Sequence, residues 1–206
     1  MARTIRVAVL AIGAPGEDVG TIAGAGAVSL VDGAAGGLLG GDNVLITESN
    51  AERGDGLGAA VEIGDLSGGG DPSEPDDLAV GIPGENLGAT ADAGAVVVLA
   101  GPATHQLLTQ GGATTIGSVP GATGAGDAFE AALTPGNVDG NEFPDLAVGA
   151  PGETVAGKAA AGAADARDGG SSGLPADPDE PLYFQGSAAV PGTAETGDQF
   201  AAALSV

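Results

Sequence analysis

The sequence predicts an all-β protein assembled from repeated units of four antiparallel strands, and three observations carry that prediction. First, one phrase recurs at a fixed step: Gly13-Ala14-Pro15-Gly16-Glu17, Gly81-Ile82-Pro83-Gly84-Glu85 and Gly149-Ala150-Pro151-Gly152-Glu153, with 68 residues from Gly13 to Gly81 and from Gly81 to Gly149. A fixed period of this size marks one supersecondary unit used repeatedly. Second, the apolar runs are short, rich in β-branched residues and bounded by Gly, Pro, Asp and Asn, as strands are. Third, no segment combines a helical period with helix-forming residues.

Each unit opens on Gly-Asp, at Gly54-Asp55, Gly126-Asp127 and Gly197-Asp198. A first strand is predicted over Leu57 to Ile63, Phe129 to Leu133 and Phe200 to Val206. An acidic loop leads to a second, Asp77-Leu78-Ala79-Val80-Gly81 or Asp145-Leu146-Ala147-Val148-Gly149. After the Pro-Gly-Glu turn comes a third, Gly26 to Val31 or Gly94 to Leu99. Its counterpart in the last copy, Ala163-Ala164-Asp165-Ala166-Arg167, has lost its apolar residues and is predicted to be a poorly packed edge or disordered. A fourth strand is predicted near Val44-Leu45-Ile46, Thr114-Thr115-Ile116 and Tyr183-Phe184-Gln185. Pro175 to Pro181 reads as an extended loop. Leu182 to Ser187 has the letters of an engineered protease site, but it falls where the repeat needs its fourth strand and is read as native. Four short antiparallel strands repeated radially describe the blade of a β-propeller. The 40 glycines suit blades whose backbones meet closely near an axis.

The repeat is cut in mid-unit. Gly197 to Val206 supplies a first strand and Met1 to Gly13 a second, with Leu10-Ala11-Ile12-Gly13 in register with Leu146-Ala147-Val148-Gly149. The prediction is therefore one domain over 1–206 with three blade equivalents, one of them split between the termini. Residues 1–53 and 197–206 are the two parts of the split blade, and 54–125 and 126–196 are whole blades. Propellers usually have four to eight blades. Two chains sharing split blades would close a six-bladed homodimeric ring; the other reading is a fragment of a longer propeller.

A net charge of −23 repels phosphate backbones and anionic membranes, which excludes nucleic acid as a partner, and it attracts cations. Part of this charge is expected to be plain solvated surface. With no cysteine, disulfides contribute nothing. No run approaches the ~20 apolar residues of a membrane helix, so no membrane insertion is expected. Met1 to Arg6 followed by Val7 to Ala14 faintly resembles a signal peptide, but it aligns with the interior of later repeats and is read as a strand.

The stretch Asn137-Val138-Asp139-Gly140-Asn141-Glu142-Phe143-Pro144-Asp145-Leu146-Ala147-Val148-Gly149-Ala150-Pro151-Gly152 resembles the FG-GAP repeat of integrin alpha-subunit propellers and their bacterial relatives. The resemblance covers nearly the whole chain in three copies. It implies a calcium site in the loop between the first two strands, of pattern D-x-D-x-D-G-x-x-D. Asn137, Asp139, Asn141 and Asp145 fall on its side-chain ligand places, and Phe143 on the place that offers a backbone carbonyl. The residue chemistry agrees, because Ca²⁺ takes hard oxygen ligands from alternate residues of a tight loop. Two of these ligands are neutral amides, which predicts modest affinity. The loop glycine is Gly140, whereas Glu142 holds the family's later glycine position. In the longer loop, Asp65 and Asp77 match the first and last ligands, with Ser67 and Asp71 as middle ligands. The split blade has Arg3 and Arg6 near the equivalent place and is expected to bind no calcium. The motif's leading Phe-Gly is altered to Leu57-Gly58, Phe129-Glu130 and Phe200-Ala201.

The resemblance implies a non-enzymatic, secreted or cell-surface module for recognition or adhesion, with a protein or glycan ligand. Two alternatives stand beside it: a purely structural self-assembling unit, and a piece of a larger FG-GAP protein that carries a hydrolase elsewhere. Other motifs dissolve in the repeat. Arg53-Gly54-Asp55 spells an integrin ligand, but its counterparts are Ala125-Gly126-Asp127 and Thr196-Gly197-Asp198, so only Gly-Asp is structural. Gly152 to Lys158 mimics a phosphate loop, yet Ala159 replaces the magnesium-binding hydroxyl. Gly169-Gly170-Ser171-Ser172-Gly173 lacks the strand-to-helix turn of a nucleophile elbow. His105, the sole histidine, is predicted in a turn.

Overall fold

The structure, a computed structural model, describes residues 9–34, 36–38, 43–68, 77–100, 104–111, 118–119, 122–174 and 181–205. These residues are all-β, without a helix among them, and form three sheets, one per repeat. In the first, β1 (Val9–Ala14) pairs antiparallel with β2 (Ala27–Ala34), whose other edge takes β3 (Gly37–Leu38) and β4 (Val44–Ile46). In the second, β5 (Val61–Gly64), β6 (Asp77–Ile82), β7 (Ala95–Ala100) and β8 (Thr104–Gln110) run antiparallel in that order, and β9 (Ser118–Val119) lies parallel to β8. The third contains β10 (Ala132–Gly136), β11 (Asp145–Ala150) and β12 (Ala163–Arg167), with β11 in the centre.

The phrase Asp-Leu-Ala-Val-Gly makes a strand buried on both faces, and each face has a different demand. Leu78, Val80 and Ile82 of β6 pack with Val28 of the first unit and with Leu57 of their own unit's opening segment. Ala79 points the other way, into a cluster with Leu146, Val148 and Ala150 of β11. Successive side chains on a strand alternate between faces, so branched residues fill one interface and Ala or Gly the other. The small side is needed because the next unit's backbone lies against it. A Cβ on Gly81 would come within 2.8 Å of the Glu130 carbonyl oxygen, and one on Gly13 or Gly149 would overlap the carbonyl oxygen of Gly58 or Ala201. The sheets thus stack face to face in chain order.

Backbone hydrogen bonds fasten the junctions, three of them at the first and at the last and the Gly126 N–H to the Ala91 and Asp92 carbonyls at the middle one. Gly54, Gly56 and Leu57 donate to the carbonyls of Ala23, Gly24 and Ala25 at 3.1, 3.1 and 3.0 Å. Gly197, Gln199 and Phe200 donate to Ala159, Ala160 and Ala161, each at 3.0 Å. The Gly-Asp segment of one unit is therefore a hook on the unit before it. The hook's aspartate accepts from the backbone three residues earlier, Asp55 from Glu52, Asp127 from Gly124 and Asp198 from Glu195. This common local structure is why Gly-Asp recurs whatever residue precedes it.

Four expectations need correction. The first strands begin later than predicted: Leu57 and Phe129 anchor the hook at 2% and 1% exposure, and a turn follows before β5 and β10. Ala59, Ala131 and Ala202 close that turn by donating to Gly56, Ala128 and Gln199, so residues 200–203 are turn and bend, 204–205 are irregular, and none of them is strand. In the second repeat β8 is the fourth strand, with Leu108 opposite Val96 and fully buried. His105 therefore sits in β8 opposite Leu99, not in a turn, and Thr114 to Ile116 fall outside the described residues. In the third repeat the fourth strand shrinks to a bridge between Ala164 and Tyr183. Finally, β12 is ordered and inward-facing, because Asp165 and Arg167 form an ion pair of 3.0 Å at 1% and 0% exposure. The extended loop read over 175–181 lies outside the described residues except for Pro181.

Candidate metal-binding loop

The loop between β10 and β11 is wound by its own polar side chains. Asn137 Oδ1 accepts from the Gly140 N–H at 2.6 Å, and the Asn137 amide donates to the Asn141 carbonyl. Asp139 Oδ1 accepts from the Asn141 N–H at 2.8 Å, and Asn141 Oδ1 from the Phe143 N–H at 2.5 Å. Such Asx contacts let alternate short polar residues hold a tight turn. Gly140 supplies the left-handed corner, with φ of 81°.

Asp145 is the hub. Only 1% exposed, it takes the Val138 and Asp139 N–H groups on Oδ2, at 2.6 and 3.3 Å, and the Gly169 N–H on Oδ1 at 2.6 Å. One carboxylate oxygen from each of Asp139, Asp145 and Asp168 lies within 4.8 Å of the others. Two oxygens on opposite sides of a Ca²⁺ stand ~5 Å apart, given bonds of 2.3–2.6 Å. Three carboxylates in that compass could hold a metal ion. The Asn141 amide spans the same space, donating to Asp139 Oδ2 at 2.6 Å and to the Gly169 carbonyl at 3.2 Å.

The structure brings Asp139 and Asp145 together with Asn141 and Asn137 at the rim, and it places Phe143 beside Asn141 through its N–H. Sequence reasoning missed Asp168. Its signal was available in the strand register: Leu146 opposes Arg167, so the next pair outward is Asp145 with Asp168. In the second repeat Leu78 opposes Leu99, and the residue across from Asp77 is Ala100. No third carboxylate is supplied there.

The longer loop repeats only the hub. Asp77 is 2% exposed and accepts from the Ser67 N–H at 2.5 Å, as Asp145 does from Asp139. Ser67 is exposed and Asp65 half-buried. Asp71 lies outside the described residues, as do Arg3 and Arg6 of the split blade. Among the described residues, Asp65 and Asp77 enter no group of three metal-competent carboxylates. Compared with known proteins, the chain matches no family model, and no curated protein sequence matches it significantly.

Proposed function

We propose that the chain is a calcium-stabilised, non-enzymatic β-propeller-type repeat module of FG-GAP character, working outside the cell in recognition or adhesion. The observation that carries this reading is the convergence of Asp139, Asp145 and Asp168 on a point reachable by one ion. A high charge density held in a loop that unfolding would scatter couples ion binding to folding. Saturating calcium at 100 times its dissociation constant stabilises by about 2.7 kcal/mol.

The test is thermal melting in calcium and in chelator. Asp139 is exposed, so Asp139→Ala is expected to lower the melting temperature in calcium by several degrees and to change it little in chelator. Asp145→Ala is expected to destabilise under both conditions, because it leaves the Val138, Asp139 and Gly169 N–H groups without their acceptor. A parent protein that melts identically in calcium and chelator would sink the calcium reading.

Assembly through shared blades is supported by the outer face of the first sheet. Leu10 and Ile12 of β1 are 41% and 46% exposed, whereas their equivalents Leu78, Val80, Leu146 and Val148 are buried against the preceding unit. Gly84 and Gly152 are covered by the carbonyls of Gly54 and Gly126 in the hook of their own unit, while none of the described residues lies within 4 Å of a Cβ on Gly16. A second copy's Gly197-Asp198 hook fits that place. Gly16→Ala is expected to leave the single chain folded but to break the dimer measured by light scattering in calcium. A folded parent monomer at micromolar concentration would overturn the shared-blade ring.

A further inference from the structure

The junction between the first and second units holds a second acidic cluster, which the loop site does not use. Three separate elements deliver it. Glu85 ends the Pro-Gly-Glu turn after β6, where its N–H bonds the Ile82 carbonyl at 3.1 Å. Asp55 belongs to the hook, and the Gly84 N–H bonds its carbonyl at 2.9 Å, locking turn to hook. Glu48 follows β4. One carboxylate oxygen from each of the three lies within 4.8 Å of the others.

Two oxygens of this cluster are buried and bare among the described residues. Asp55 is fully buried; its Oδ2 takes the Glu52 N–H, and its Oδ1 has no hydrogen-bond partner there. Glu48 takes a hydrogen bond from the Asn50 side chain, yet its Oε2 is buried without one. A buried oxygen left unpaired is destabilising. The neighbouring carboxylate Glu52 accepts from the Asn86 amide at 2.6 Å.

The next junction shows how the same corner is satisfied when a donor is present. Glu153 and Asp127 stand where Glu85 and Asp55 stand here, and Asp127 Oδ2 takes the Gly124 N–H in the same manner. The third place is fixed by register. Ile46 opposes Val28 and Leu108 opposes Val96, so Glu48 and Gln110 are equivalent, each two residues further on. Gln110 Nε2 donates to Glu153 Oε2 at 2.8 Å in a buried hydrogen bond. Where that junction has an amide donor, the first has a third carboxylate, which only accepts.

We infer that Glu48, Asp55 and Glu85 hold a hard divalent cation of the calcium class, which ties the first unit to the second. Carboxylate oxygens at this spacing suit Ca²⁺ chemistry, and the ion takes the place that the Gln110 amide donor holds next door. The inference stands on a different set of residues from the loop site and does not depend on it.

The experiment is a calcium titration of the full chain by calorimetry, with folding checked by circular dichroism. Glu48→Gln copies the Gln110 arrangement, and Glu85→Gln removes a ligand without changing size should the first variant not fold. The parent is expected to bind one calcium at each of the two places. Either glutamine variant is expected to lose the junction ion, or to bind it at least tenfold more weakly, and to keep the ion that Asp139→Ala removes. Calcium stoichiometry and affinity unchanged from the parent in the folded glutamine variant would overturn the inference, and would leave the loop site standing if Asp139→Ala still removes its ion. Loss of the junction ion with no effect of Asp139→Ala would do the reverse.

Discussion

Glu130→Gly is expected to stabilise the protein at neutral pH by about 1–3 kcal/mol. Glu130 follows the hook anchor Phe129 and has φ of 84°, a left-handed conformation that costs a side chain strain. The equivalent positions are Gly58 and Ala201, also at positive φ, of 91° and 66°. Glu130 is fully buried over Gly81 and Gly94, and neither carboxyl oxygen has a hydrogen-bond partner among the described residues. Burial pushes its carboxyl well above the usual range, so the folded state favours the neutral acid. For an acid whose pKa is raised on folding, the stabilising contribution is complete below its unfolded value of 4.5. It is lost as pH rises toward the folded value. The gain from Glu130→Gly is therefore expected to be largest at pH 7–8 and to shrink as pH falls toward 4.5. Melting curves across that range check it, at about 2–4 °C per kcal/mol for a chain of this size. A loss of stability at pH 8 would mean that the side chain's packing outweighs its strain and desolvation.

Arg167→Leu is expected to have the opposite sign and a larger effect, a loss of about 3–5 kcal/mol near pH 8. Arg167 Nε stands 3.0 Å from Asp165 Oδ2 inside β12, and both side chains are at most 1% exposed. Burial pushes Asp165 up to about 6 even though the Arg167 charge beside it pulls the other way. Removing the arginine leaves a buried carboxyl that must stay charged or take a proton. The second repeat places Val97 and Leu99 at these positions, 68 residues earlier. Buried ion pairs are often replaced by packed apolar residues at no net cost. The double variant Asp165→Val with Arg167→Leu is accordingly expected to recover most or all of the parent stability in denaturant titrations. Equal destabilisation by the single and double changes would show that the third sheet requires the charges themselves.

The repeat made the sheets legible because each unit states its alternation openly. The run Leu78-Ala79-Val80-Gly81 names its buried faces without any structure. The worn third copy misled for a reason in the same chemistry. Asp165 and Arg167 look like surface residues one at a time, and their mutual contact lets both lie inside a strand there. The late start of β5 and β10 was hidden because Leu57 and Phe129 are apolar in either role, strand residue or anchor. Within the candidate site, Asp139 and Asp145 were readable because the loop resembles the FG-GAP pattern, whose ligand places they fill. Asp168 was not, since it arrives from the other side of a sheet through strand pairing. The Glu48 cluster was more distant still, because it draws on three elements and on a comparison between two junctions.

The hook has a consequence for how such a chain can change length. Each sheet is fastened by residues encoded in the following unit, so the cut that preserves every contact does not fall between sheets. Excising 54–125 would set Gly126 directly after Arg53. Gly126 would then offer the Ala23 carbonyl the backbone donor that Gly54 offers now, as it offers the Ala91 carbonyl in its own junction. The protein is in this sense a tape with a fixed stitch. Whole stitches can be inserted or dropped by duplication and deletion without inventing a new interface.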